Sequence, residues 1–498
     1  MDARTLEAVA TTGGRVEGVL KDGHLAFYGI PYAACPTGEQ RFRPPQPAAP
    51  WGGVRRAHEI GFAAPQTPHV IQGFAASGPQ DEDCLNLNVF TPAPDGARRP
   101  VLFWIHGGGF THGAGYEPLY DGGPFATRHD VVVVTINYRL GALGFLSIPE
   151  AGFGPNQGLL DQVAALKWVQ ANIEAFGGDP ANVTIFGESA GSASVAALLA
   201  MPPAKGLFHR AILQSGVGRA APPEVAAKSA DALLAALGLT RERAAELRDV
   251  PAAQIVQAQA AVQKQGLAFG PVRDAATLPD EPMRIVRAGG ASETAVLIGS
   301  NRDEVKLFNA AAPRQPLDEA GLVAAVRAAL PKADEAQAKA LIETYRTSRR
   351  AKGLPAESLD ILDAVQSDVR FRVPSIRLAS AQKAVQPNTY LYLFTHASPA
   401  RKGALGACHA LEMPFVFGTL SAPTQDRFCG TGPDVERLSA EMNAAWAAFA
   451  RTGNPSTAGL QWPAFDPERR TTMVFDTASS HVEDDPFGDE RAAIEPLL

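Results

Sequence analysis

The sequence predicts an α/β protein with a mostly parallel, doubly wound central sheet and helical insertions, and three observations carry that prediction. Apolar runs at 101–105 (Val-Leu-Phe-Trp-Ile) and 131–134 (four valines) lack polar alternation, as a strand covered on both faces requires. Residues 158–175 place Leu159, Val163, Leu166 and Val169 at the spacing of an amphipathic helix. Farther on, Val183-Thr184-Ile185 leads through a turn with glycine two before and two after a serine into an alanine-rich helix at 192–200. Strand, helix and strand repeated in this way is the doubly wound arrangement.

Composition narrows the function classes. With 498 residues, 46% of them hydrophobic and 19% charged, the chain can bury a large core. A net charge of −7 argues against a nucleic-acid partner, because phosphate binding needs a basic face. No apolar run approaches the ~18 residues of a membrane span. Met1-Asp2-Ala3-Arg4-Thr5-Leu6-Glu7 has neither the cationic start nor the apolar stretch of a secretory signal. Cys35, Cys84, Cys408 and Cys429 have no metal-like spacing and are too few to staple a chain this long. Together these features place the chain in the cytoplasm with reduced thiols, although a processed export form would read the same way.

Taken in order, residues 8–30 alternate apolar and polar around Gly13-Gly14 and Asp22-Gly23, which predicts a hairpin of edge strands. A proline-rich irregular segment follows to Pro45, and 65–79 is a loop by composition. Residues 82–90 alternate as a strand. The 101–105 strand ends in His106-Gly107-Gly108-Gly109-Phe110, whose bare amides can approach a ligand closely. His106 reads as a packing or orienting residue. Further strands are expected at 131–138, 211–216, 295–298 and 390–394. Alanine-rich stretches at 222–265 and 317–350 carry helical periodicity interrupted by Gly238 and Pro331, and fit either walls of a site or ordinary packing helices.

The chemistry concentrates at Gly187-Glu188-Ser189-Ala190-Gly191. A turn of this kind between strand and helix holds its serine in a strained conformation at the tip and presents the hydroxyl to solvent. The amide of Ala190, at the start of the helix, points where an oxyanion would form, aided by the helix dipole. A serine hydroxyl becomes a nucleophile at neutral pH only beside a neutral imidazole that a carboxylate holds in place. In this arrangement the chain order is serine, then acid, then histidine. Only His396, His409 and His481 follow the plausible acids.

More of the text around these residues carries a resemblance. The run from Phe176 to Gly191 resembles the serine active-site signature of the type-B carboxylesterase family, which also includes cholinesterases, and Glu82 to Phe90 resembles the family's second signature. Ala295 to Glu304, Ala407 to Gly418, Trp446 to Pro455 and Trp462-Pro463 are similar to its acid, histidine and C-terminal blocks. The resemblance spans nearly the whole chain and implies one α/β-hydrolase domain over 1–498, with helical insertions near 222–265 and 317–350. It implies Ser189 as nucleophile, His409 as base and Glu304 as acid, with Asp303 the local rival, and oxyanion donors at Gly108, Gly109 and Ala190. Ala410 stands where the family usually has glycine. Arg41 with Glu82, and Arg139 with Asp161, would be structural ion pairs unless they are solvated charges. Ser215 would lend a supporting hydrogen bond or be a plain buried hydroxyl. The disulfide partner that Cys84 has in many secreted relatives is missing, since Ala64-Pro65-Gln66 replaces Cys-Pro-Gln. Phe110, Glu188, Phe269, Leu307 and Phe308 are candidate substrate contacts, with core packing the alternative for the apolar ones.

The implied activity is hydrolysis of small to medium apolar or aryl carboxylic esters through an acyl-enzyme. An amide or carbamate hydrolase on the same residues, and a non-catalytic binding protein of the same fold, are the alternatives. Choline esters are disfavoured, because the loop at 65–83 has no tryptophan to face a quaternary ammonium. The expected partners are an ester and water, without metal or organic cofactor, and the sequence is silent on oligomeric state.

Overall fold

Strands that lack polar alternation sit in the middle of an eleven-stranded sheet in a computed structural model that describes residues 8–69, 71 and 73–498. Met1 to Glu7, on which the reading about a secretory signal rests, lie outside the described residues, as do Val70 and Gln72 of the 65–79 loop. From Val132–Ile136 through Arg99–Ile105, Gly178–Glu188, Arg210–Gln214, Ala295–Asn301 and Thr389–Phe394 to Thr471–Phe475, every neighbour runs parallel. Antiparallel strands finish both edges: Asn86–Thr91, His24–Pro31 and Val19–Lys21 at one, His481–Asp484 at the other. The segment read as one edge hairpin forms two. Val9–Thr11 pairs with Gly14–Glu17 in a separate small sheet, and Val19–Lys21 turns through Asp22 and Gly23, both at positive φ, into His24–Pro31.

The pleat sends alternate side chains of each strand to opposite faces. Val101, Phe103 and Ile105 pack with Leu159, Val163 and Val195 from the helices Gln157–Asn172 and Ala190–Ala200. Leu102 and Trp104 pack on the other face with Leu438 and Trp446 of the helix Pro433–Thr452. A parallel sheet so covered offers a ligand the crevice beyond the carboxyl ends of its strands.

Residues 222–265 form the helices Pro223–Ala236 and Ala252–Gln263 with a 3₁₀ segment between them. Residues 317–350 form Glu319–Ala329 and most of Glu335–Ala351, which build a third core with Ser358–Ser367 and the C-terminal Ile494. Arg139 pairs with Asp161 through Nε at 2.8 Å and Nη2 at 2.6 Å, and both side chains are buried. Arg41 grips Glu82 in the same two-pronged way. Buried pairs of this geometry fix a local arrangement, because losing one partner strands the other charge. All four cysteines are free thiols, and Cys84, Cys408 and Cys429 are buried. Among the described residues no helix is long and apolar enough to cross a membrane.

Candidate active site

Ser189 stands where the Gly178–Glu188 strand ends and the Ala190–Ala200 helix begins, at φ +56° and ψ −119°. The turn is fixed by contact on both flanks. A Cβ on Gly191 would lie 2.0 Å from the Ile105 carbonyl oxygen, and one on Gly187 would lie 2.5 Å from the Gly191 carbonyl carbon. Both close contacts are with backbone atoms, so a side chain at either position would force the turn apart. The backbone of Ser189 is anchored by its N–H, which donates to Gln214 at 2.9 Å. Its side chain remains partly exposed.

Beside it the Arg99–Ile105 strand opens into the glycine loop. Gly108 takes φ +101°, and a Cβ there would meet the His112 carbonyl oxygen at 2.3 Å, which restricts the position to glycine. Gly108, Gly109, Phe110, Ser189, Ala190 and Phe308 all border one cavity of about 910 Å³. His106 is buried and stacked on Tyr138 at 4.6 Å, and burial pulls its pKa down to about 4. It packs and does not face the cavity.

Glu304 and His409 come from two loops that follow neighbouring strands, Ala295–Asn301 and Thr389–Phe394. The His409 Nδ1–H donates to Glu304 Oε2 at 2.6 Å, and the Asn301 backbone N–H donates to Glu304 Oε1 at 2.7 Å. Asp303, the adjacent rival, is turned elsewhere. Burial alone would raise its pKa, but Arg302, Lys306 and Arg349 outweigh burial and hold it well below the usual carboxylate range. It accepts from Arg349 Nη2 at 3.2 Å and from the Ala407 N–H at 3.0 Å. His396 donates to or accepts from Cys429 and Thr477 inside the fold, and His481 is exposed.

The other ring nitrogen of His409 departs from the expected serine bond. Nε2 lies 2.9 Å from Glu188 Oε1 without the alignment of a hydrogen bond, and no described residue bonds to it. Glu188 is thus a neighbour of the imidazole and does not border the cavity. Burial pulls the His409 pKa down, while Glu188 and Glu304 together push it above the usual histidine range. A third buried carboxyl, Glu412, accepts from Asn301 Nδ2 at 2.6 Å, and burial with the charges of Glu188 and Glu304 raises it to about 8. Ala410 sits at φ +63°, a conformation that suits the glycine usual there and costs an alanine on the order of 1 kcal/mol.

Other expected residues divide. Phe110 and Phe308 line the cavity, whereas Phe269 belongs to the core beneath it and Leu307 packs into the second core cluster. Adjacent residues of the short helix Lys306–Asn309 face different ways, and Phe308 takes the cavity side. Ser215 borders the cavity at φ +53°, but its Oγ has no hydrogen-bond partner among the described residues, so the supporting bond is not made. Of the two insertions, 222–265 contributes Ala260, Gln263 and Lys264 to the cavity wall, and no residue of 317–350 borders it.

Sequence reasoning missed Arg370 and Phe371. They lie on a π-helical turn, Asp368–Arg372, spliced between two α-helices. The extra residue of a π turn redirects side chains, and nothing in a helical pattern marks where it falls. Phe308 and Phe371 flank the imidazole with ring centroids 4.9 and 5.0 Å away. Among the described residues, no group of three or more His, Cys, Asp or Glu could hold a metal ion.

The sequence profile of the carboxylesterase family matches residues 5–492. The para-nitrobenzyl esterase of Bacillus subtilis (strain 168) is 40% identical over 501 residues, covering 99% of each chain, and the phenmedipham hydrolase of Pseudarthrobacter oxydans is 36% identical, covering 98% of each. A solved carboxylesterase of Geobacillus stearothermophilus superposes with a TM-score of 0.87 at 42% identity, over 98% of this chain and 100% of that one.

Proposed function

The chain belongs to the carboxylesterase family and is an ester hydrolase of the α/β-hydrolase fold, and on that premise we propose that it works through Ser189, His409 and Glu304 by way of an acyl-enzyme. The observation that carries this reading is a partly exposed serine, at a strained tip, in the same cavity as the Gly108, Gly109 and Ala190 backbone, with a carboxylate-held imidazole nearby whose outer nitrogen makes no aligned hydrogen bond and stands 2.9 Å from Glu188. Ser189 Oγ attacks the ester carbonyl and gives its proton to His409 Nε2, while the three amides take the oxyanion. His409 then returns the proton to the leaving alcohol. Water, deprotonated by the same nitrogen, attacks the acyl-enzyme and frees the acid.

The serine bond to Nε2 is formed during this cycle. Catalytic hydrogen bonds are often unaligned before substrate arrives and tighten in the complex. Phe110, Phe308 and Phe371 give the cavity an aromatic lining suited to small and medium apolar or aryl esters. We read the whole chain as a single domain. The four free thiols support a reducing compartment such as the cytoplasm.

The direct test is labelling. A sulfonyl fluoride should modify Ser189 at one equivalent per chain and abolish para-nitrophenyl acetate hydrolysis in proportion. Persistent activity in protein that carries no label on Ser189 would remove the serine from the mechanism. Phenmedipham itself, named in one relative, is a second substrate worth assaying.

The charges around His409 set a pH dependence. The base must be neutral to accept a proton, and Glu188 favours its protonated form. Glu188→Gln should therefore lower the imidazole pKa and shift the acid limb of the kcat/KM profile to lower pH, by about 1 unit. A limb that stays in place or moves to higher pH would show that Glu188 does not stabilise the imidazolium.

A further inference from the structure

The cavity that holds Ser189 is lined by three cationic side chains, Arg219, Lys264 and Arg370, and, among the described residues, by no aspartate or glutamate. That imbalance runs against the chain as a whole, in which 52 acidic residues outnumber 45 basic ones. Cations elsewhere in the fold have been neutralised locally: Arg139 by Asp161, Arg349 by Asp303, Arg372 by Asp368 and Lys306 by Asp360. Arg219, Lys264 and Arg370 have no carboxylate partner among the described residues. Other arginines on the surface are unpaired too, but these three converge on the reacting serine from separate elements. Arg219 comes from the turn after the Arg210–Gln214 strand, Lys264 from the end of the Ala252–Gln263 helix, and Arg370 from the π turn.

Arg370 alone of the three packs against aromatic rings among the described residues. Its guanidinium lies 5.4 Å from the ring centroids of both Phe308 and Phe371, the two rings that flank His409. Stacking on aromatic faces steadies the flat guanidinium and leaves its N–H edges free to grip a planar anion with two parallel bonds. Glu188 and Glu304 lie against the His409 imidazole and do not border the cavity, so the charge of Glu304 acts on Arg370 without occupying its exposed edge.

Resting on the ester-hydrolase reading, we propose that the preferred substrates of this site are esters carrying a carboxylate, bound by Arg370 with Arg219 and Lys264 completing a cationic rim. The carboxylate belongs to the acyl or to the alcohol portion, away from the carbonyl that Ser189 attacks. In a partly solvated cavity one such contact is expected to favour the anionic ester over a neutral isostere by about tenfold. Salt should erode that preference, since exposed charges are screened.

The test compares kcat/KM in two matched pairs. Mono-para-nitrophenyl glutarate against para-nitrophenyl valerate places the charge on the acyl side, and 4-acetoxybenzoate against 4-acetoxybenzamide places it on the leaving group. At low salt at least one pair should favour the anion about tenfold, chiefly through KM, with the ratio falling as sodium chloride is added. In Arg370→Gln that ratio should collapse toward one, and Arg370→Lys should restore part of it. A wild-type enzyme that favours the neutral ester in both pairs would overturn the proposal. So would an anionic preference that survives in Arg370→Gln and in the triple glutamine variant of Arg370, Arg219 and Lys264. Failure to hydrolyse all four esters is a different result: it would sink the ester-hydrolase reading, and this proposal with it.

Discussion

Ser189→Ala is expected to lower kcat for para-nitrophenyl acetate by about 10⁶-fold, with the thermal unfolding midpoint nearly unchanged. Loss of this size follows from the proposed covalent route, which would disappear entirely. The amides proposed to take the oxyanion and the cavity survive and should sustain only the residual rate they provide alone. The fold should be indifferent, because alanine differs from Ser189 only by a hydroxyl on a partly exposed side chain, and the φ of +56° is imposed by the turn. Steady-state assay and a melting curve on the same preparation decide the matter. Retention of more than about 1% of kcat would refute Ser189 as nucleophile, given the far larger loss expected.

Glu304→Gln is expected to cost about 10⁴-fold in kcat at neutral pH without a change in fold. Two hydrogen bonds set this outcome. Glu304 Oε1 accepts from the Asn301 N–H and Oε2 accepts from His409 Nδ1–H. A glutamine has one acceptor oxygen, and the fixed backbone donor at Asn301 claims it. The amide NH₂ then faces His409 and requires Nδ1 to act as acceptor. That places the ring proton on Nε2, where a proton from Ser189 has to be received. The side chain keeps its size and stays in its pocket, so the defect is one of tautomer. Near wild-type kcat in a folded Glu304→Gln protein would show that the imidazole is oriented by something else, Glu188 being the nearest alternative.

What could be read from the chain depended on how far apart the cooperating residues lie. The serine turn was legible because everything that shapes it is contiguous: the strand before, Gly187 and Gly191 on its flanks, and the helix after. The glycine loop after 101–105 was legible for the same reason. Asp303 and Glu304 were not separable by spacing. What separates them is Arg349, on a helix far along the chain, and Ala407, next to the histidine loop, which together hold Asp303. The apolar lining was half legible: Phe308 faces the cavity and Leu307 does not, and Phe371 enters through a π turn that leaves no pattern. Glu188 was expected near substrate, and it lies against the imidazole, because the turn that lifts Ser189 into the cavity sends its neighbour inward.

By itself the sequence determined the layered α/β architecture, the serine-bearing turn and the amide-rich loop beside it, because each is written in adjoining residues through periodicity, chain stiffness and glycine placement. Only the tertiary structure decided which carboxylate holds His409, that a second one crowds its other nitrogen, and that the cavity wall is cationic. Those outcomes depend on burial and on charges brought together from distant segments, and neither the dielectric around a group nor its neighbours in space is encoded at any one position along the chain.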